Sequence, residues 1–132
     1  MKTANLNGES HVISDGMDSV VIRHYGAGIQ GGRTLDTEGF APEVVKAGHV
    51  VIRDTETGVY KPMPVKAAGD AYAAIPNNHE YVGVVVSSQP SKCAMCAIMY
   101  DGEVNDLASP YPVDGIKAAM KTALPKLVFM HD

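Results

Sequence analysis

YVGVVVSSQPSKCAMCAIMYDGEV, residues 81–104, is the stretch that decides the fold. It holds two apolar runs, 81–86 and 93–100, separated by the turn-forming cluster Ser87-Ser88-Gln89-Pro90-Ser91-Lys92. Each run is too short for a stable helix and ends in turn residues, so both are expected to be buried strands. The second is expected to close on Asp101-Gly102, a strong turn dipeptide. This pair predicts a small β domain with the rest of the chain packed against it.

Towards the N-terminus, residues 66–80 hold Gly69, Pro76 and Asn77-Asn78 and read as loop, with at most one helical turn at 70–74. In 49–53, Val50 and Ile52 share one strand face. Asp54-Thr55-Glu56-Thr57-Gly58 is a hairpin-type turn into the return strand Val59-Tyr60-Lys61. Pro62 and Pro64 end that strand or place it at an edge. Residues 34–45 show no period, and the glycine-rich run 26–32 reads as a flexible segment. Residues 18–25 are strand-like, with Val20 and Ile22 on one face and Val21 and Arg23 on the other. Residues 1–16 are polar and read as an extended or mobile arm.

On the C-terminal side, 107–112 is a proline-bounded loop and Asp114 a plausible helix cap. Ile116, Ala119, Met120, Ala123 and Leu124 then fall at i, i+3, i+4, i+7 and i+8, the stripe of an amphipathic helix. Pro125 stops it, and 127–130 is a last apolar strand. The fold expected is mostly β with one C-terminal helix: a small β-barrel-like or β-sandwich-like domain over 34–132, preceded by an extended N-terminal arm, 1–33.

The 132 residues suffice for one domain, and 45% hydrophobic with 20% charged residues is a globular rather than a disordered balance. The net charge is −4 and the eleven Lys and Arg are scattered, which argues against a nucleic-acid partner. No apolar run reaches the ~18 residues of a membrane span, so no membrane partner is expected. The first twenty residues lack the apolar centre of a secretory signal, and folding in a cytoplasm is expected.

Motifs for chemistry are sparse. Gly26-Ala27-Gly28-Ile29-Gln30-Gly31 fits G-x-G-x-x-G, but a dinucleotide site needs a helix to start there, and Gly32-Arg33-Thr34-Leu35-Asp36 carries no helical stripe. Cys93 and Cys96 fit C-x-x-C, yet there is no second pair for zinc. The motif lies in an expected strand, where positions three apart face opposite ways, so two buried, inert, unbridged thiols are the reading. His11, His24, His49, His79 and His131 show no metal-ligand spacing, and no nucleophile elbow is present. Lys66 could stand at a hairpin tip like the modified lysine of a lipoyl-type carrier, but the carrier motif is otherwise missing. No catalytic residues, no metal and no cofactor are expected, and the protein is read as not an enzyme.

The order of segments says more. Lys46-Ala47-Gly48-His49-Val50-Val51 leads to a turn and Tyr60-Lys61-Pro62. Tyr81-Val82-Gly83-Val84-Val85 follows, then Ala97-Ile98-Met99-Tyr100-Asp101-Gly102-Glu103-Val104-Asn105, the helix, and Leu127-Val128-Phe129. This order resembles the lambda-type head decoration (capsid-stabilising) proteins of tailed phages, with "K-A-G-x-V", "V-G-V" and "x-x-G-E-x-N" strands before a C-terminal helix and final strand. A phage head-fibre protein is a related reading. The resemblance covers residues 34–132 and departs in the longer N-terminal part.

What it implies is a homotrimer on the outer capsid of the virion, folded in the host cytoplasm, with a prophage as one source. Its partners would be the major capsid protein and itself, and its work non-covalent clamping of the shell. The strand-forming residues Val20, Val21, Ile22, Arg23, His24 and Tyr25 are then candidates for a capsid-binding arm that adds a strand to a partner. The alternative for the same residues is that they join their own domain's sheet. The alternative for the whole chain is a small cytoplasmic carrier or enzyme domain of unknown substrate.

Overall fold

The computed structural model describes residues 16–132. In chain order the elements are α1 Asp18–Val21, β1 Ile22–Gly28, β2 Arg33–Thr34, β3 Val44–Val45, β4 Val50–Asp54, β5 Tyr60–Pro62, β6 His79–Val85, β7 Gln89–Pro90, a 3-10 turn Ser91–Cys93, β8 Met95–Cys96, β9 Ile98–Asn105, α2 Lys117–Ala123 and β10 Leu127–Met130. The chain is strand-rich with a short C-terminal helix, as its sequence predicts, and among the described residues the sheets do not close into a barrel.

Three dipeptides explain the architecture. In Val50-Val51, Val84-Val85 and Ile98-Met99, neighbouring side chains leave opposite faces of one sheet. Val50, Val84 and Met99 enter one core with Met63, Tyr72, Val113, Met120 and Phe129. Val51, Val85 and Ile98 enter a second with Leu35, Val45, Ala94 and Cys96. The middle of the sheet is thus covered on both sides, which is why its strands read as continuous apolar runs. The strand order is β1-β9-β6-β4-β5, with β10 beside β9. One edge of β9 meets β1 from Met99 to Val104. The other is shared: β6 pairs at Ile98 and Met99, and β10, running parallel, takes over from Gly102 to Asn105. Two short antiparallel ribbons, β2-β8 and β3-β7, lie outside this sheet.

The hairpin between β4 and β5 forms as expected. The Asp54 carboxylate accepts the Glu56 and Thr57 N–H groups at 2.8 and 3.2 Å, and Gly58 supplies φ 76°. Pro62 lies in β5, the edge strand.

Several expectations need correction. β9 does not close at Asp101-Gly102 but runs through it to Asn105. Gly102 adopts φ 152° with the His24 carbonyl and the Met99 side chain packed where a Cβ would stand, so the dipeptide makes an irregularity within a strand. The run 93–100 is divided: Cys93 belongs to the 3-10 turn, Met95 and Cys96 to β8, and Ile98 opens β9. Asp18–Val21 is a helical turn, and the strand starts at Ile22. Gly26–Gly28 is not a flexible segment but part of β1; the Asp101 carbonyl lies 2.7 Å from where a Gly26 Cβ would be. Residues 70–74 form no helix, and a Val65–Tyr72 bridge ties them into a small hairpin. The stripe of α2 is narrower than expected: Met120 is buried, Ile116 and Leu124 pack beside it, and Ala119 and Ala123 are exposed. No side chain, Asp114 included, caps α2.

The expected boundary between an arm, 1–33, and a domain, 34–132, divides the two residues of β2. Over its described part the arm is not set apart, because Val21 lies in the main core and β1 pairs with β9. The expected polar arm, residues 1–16, lies outside the described residues except for Gly16.

Candidate interaction surfaces

Past Ile98 and Met99 of β9, the second core no longer covers the sheet. β10 shows this residue by residue: Leu127 and Phe129 are buried in the core, whereas Val128 and Met130 are 45% and 37% exposed. In β1 residues 23–26 are all exposed, Tyr25 among them, and Tyr100 of β9 and Leu107 beyond it are exposed too. The outer edges of β1 and β10 pair with no other strand among the described residues. A sheet edge offers backbone donors and acceptors to another chain, and exposed large apolar residues beside it favour contact.

The six candidate arm residues do not act as one strand. Val20 is exposed on α1, Val21 is buried, and Ile22 packs partly against the core. Arg23 Nη2 lies 2.7 Å from Asp132 Oδ1 and its Nε 4.0 Å from Glu103 Oε2, tying β1 to β9 and the C-terminus. His24 and Tyr25 remain free to face solvent. The strand character of this stretch is satisfied by β9 of the same chain, the second of the two alternatives. Irregular register after Ile22, Tyr25 and Ala27 roughens the ladder, a feature that restrains open-ended edge pairing.

An anchor holds α1 in place. Asp18 accepts the Ser88 hydroxyl at 2.6 Å and the Ser88 N–H at 2.8 Å, while Ser88 Oγ accepts the Ala47 N–H at 3.0 Å. A second anchor closes the C-terminal end. Asp106 receives Lys117 Nζ at 2.9 Å and His131 Nδ1 at 2.7 Å. Those two hydrogen bonds, Lys117 first, hold the Asp106 carboxyl down at about 2.

On the doubly covered side lies a buried histidine that the sequence did not single out. His49 is 1% exposed and its ring stands edge-on to Phe40, Tyr72 and Tyr111, with centroids 5.2 to 5.6 Å away. Its Nε2 is 2.9 Å from the Met63 carbonyl, which can only accept, so Nε2 carries the proton. Burial lowers its pKa to about 4, partly opposed by that hydrogen bond, and the ring is neutral at pH 7. Tyr72 Oη accepts the Val50 N–H at 3.1 Å. Neither Phe40 nor Tyr72 had a signal in the sequence, since both come from segments without a period.

The remaining motifs separate. Residues 26–31 are followed by a turn and β2, with no helix to receive a pyrophosphate. Cys93 is exposed in its turn, against expectation, and Cys96 is buried; both are free thiols. Burial pushes the Cys96 thiol up to about 11, so it is inert as a nucleophile at neutral pH. Among the described residues no three His, Cys, Asp or Glu side chains gather in a metal-binding group, and no helix is long and apolar enough to cross a membrane. Lys66 is exposed at a hairpin tip, where the Gly69 N–H meets its carbonyl at 2.8 Å and its own N–H meets the Ala71 carbonyl at 2.9 Å.

No family model, curated protein or solved structure matches the chain.

Proposed function

We propose that this protein is a structural component of a tailed-phage head. It would decorate the outer capsid as a homotrimer and bind the major capsid protein without covalent chemistry, in the manner of lambda-type decoration proteins or of head-fibre proteins. One observation carries the reading. The segments whose order resembles that family, around Val50-Val51, Tyr60–Pro62, Tyr81-Val82-Gly83 and Ile98–Asn105, are successive strands of a single sheet on which α2 and β10 close. The uncovered half of that sheet, with Tyr25, Tyr100, Val128 and Met130, is the surface assigned to contacts with other subunits. Strand edges and exposed apolar side chains suit a multivalent clamp, in which several modest contacts add through avidity.

The test is sedimentation equilibrium followed by pelleting with expanded shells of the major capsid protein of the phage or prophage that carries the gene. A mass near three times 14.0 kDa and co-sedimentation with expanded shells are expected. A monomer that stays in the supernatant would overturn the proposal.

A second reading has one observation in its favour: Lys66 at an exposed hairpin tip is where a carrier domain presents a modified lysine. Intact-mass analysis of protein from its native host separates the two, since a carrier would show added mass on Lys66.

A further inference from the structure

His49 forms part of the wall of a cavity of about 500 Å³, together with Tyr111, Pro42, Pro110, Lys46 and Glu43. The size is that of a ligand site. With Nε2–H committed to the Met63 carbonyl, Nδ1 is left as a bare acceptor on a neutral ring. It has no partner among the described residues, and it is not among the polar atoms sealed from solvent without one. An acceptor on a side chain this deeply buried therefore opens to the cavity it borders.

The cavity is not a closed pit. It shares Pro42 and Gly69 with a neighbouring concavity of about 510 Å³ that reaches Phe40 and Lys66. On its other side it shares Lys46 and Pro110 with a smaller one ending at Met17 and Asp18. The three adjoin through these shared residues and form a row of concavities across β3, the 64–73 hairpin and the loop before α2. A row of this length suits an extended chain better than a compact molecule. Its walls include proline and aromatic rings, its rim carries two cations, Lys46 and Lys66, balanced by two anions, Glu43 and Asp18, and its central polar feature is an acceptor. A ligand matched to this balanced rim is elongated and without net charge, with an N–H to give.

We propose that this groove seats an extended segment of a partner polypeptide, without net charge, whose backbone N–H donates to His49 Nδ1 while its side chains lie against Tyr111, Pro42 and Pro110. Under the decoration reading the segment belongs to the shell protein. The site itself does not depend on that reading and is tested without a shell.

The full chain, labelled with 15N, is titrated with the capped peptide acetyl-Ala-Pro-Ala-Ala-amide while the His49 ring nitrogens and the Tyr111 ring are followed by NMR. A saturable shift of Nδ1 with little change at Nε2 is expected, together with Tyr111 shifts on the same isotherm. Affinity should fall about tenfold in His49→Phe, the loss of one net hydrogen bond. A similar or larger fall is expected in Glu43→Trp, which fills the mouth from an exposed position and leaves the core untouched. The proposal is overturned if Nδ1 shows no saturable shift, which would mean that the cavity holds water only. It is overturned equally if both variants bind as the parent does, or if acetamide binds as tightly as the peptide and the length of the groove is irrelevant. Failure here leaves the pelleting result unaffected, and failure of pelleting leaves the peptide isotherm unaffected.

Discussion

The two halves of the sheet are built from equally apolar sequence and end in opposite conditions. Val50-Val51 in β4 and Val84-Val85 in β6 are buried on both faces. Leu127-Val128-Phe129-Met130 in β10 is just as apolar, yet alternate residues are open to solvent. In the first half both side chains of each of these pairs are used by the fold. In the second, Val128 and Met130 exceed what the fold uses, and so do Tyr25, Tyr100 and Leu107. In the proposed role, these exposed apolar residues are where other subunits would be met. That contrast underlies the proposed role.

The most damaging substitution should be Val85→Asp. It places an unpaired carboxylate between the two covers of the sheet, a cost above about 4 kcal/mol that leaves the chain unfolded by circular dichroism. The same charge at Val128 should leave the monomer folded. If both variants unfold, the halves do not differ as described.

Acid should act through the doubly covered half. His49 binds a proton near pH 6.5 when unfolded but only near 4 when folded, because burial opposes its charge. The unfolded state holds more protons between those values, so stability falls as pH drops from about 6.5 to 4 and this contribution levels off below. The shift corresponds to roughly 3 kcal/mol. Asp106 acts lower and in the same direction: its folded carboxyl is held near 2, so its contribution is present above the ordinary carboxylate range and is lost as pH falls through 2. Urea unfolding at a series of pH values should show the first loss in the parent and not in His49→Phe.

Ser88→Ala should have an intermediate effect. It removes the hydroxyl that joins Asp18 to the Ala47 N–H and leaves that N–H buried, costing about 1–2 kcal/mol. Hydrogen exchange should quicken first in α1. A uniform change across the chain would show that α1 is not separately anchored.

Local chemistry was legible in the sequence. The Asp54–Gly58 turn, the strands either side of it, the helix stopped by Pro125 and the last strand all follow from residues a few positions apart. What could not be read depended on distant partners. Asp101-Gly102 is a turn dipeptide by composition, but β1 on one side and β10 on the other hold it within β9. Residues 18–21 carry a strand pattern that a bond to Ser88, seventy positions away, overrides in favour of a helical turn. His49 looked like one histidine among five, because the rings around it arrive from three separate loops. Of the six arm candidates, the alternation expected over Val20 to Arg23 fails, because Val20 and Val21 lie in that helical turn and Val21 and Ile22 both meet the core.

The smallest effect on stability and the most direct test coincide. Val128→Ser with Met130→Ser alters only exposed positions, so unfolding free energy should change by less than about 0.5 kcal/mol. Sedimentation equilibrium of this double variant beside the parent decides the claim that the uncovered half is where subunits meet. The account predicts a parent mass near three times 14.0 kDa and a variant shifted towards monomer with an unchanged circular dichroism spectrum. A variant that assembles as fully as the parent would contradict it.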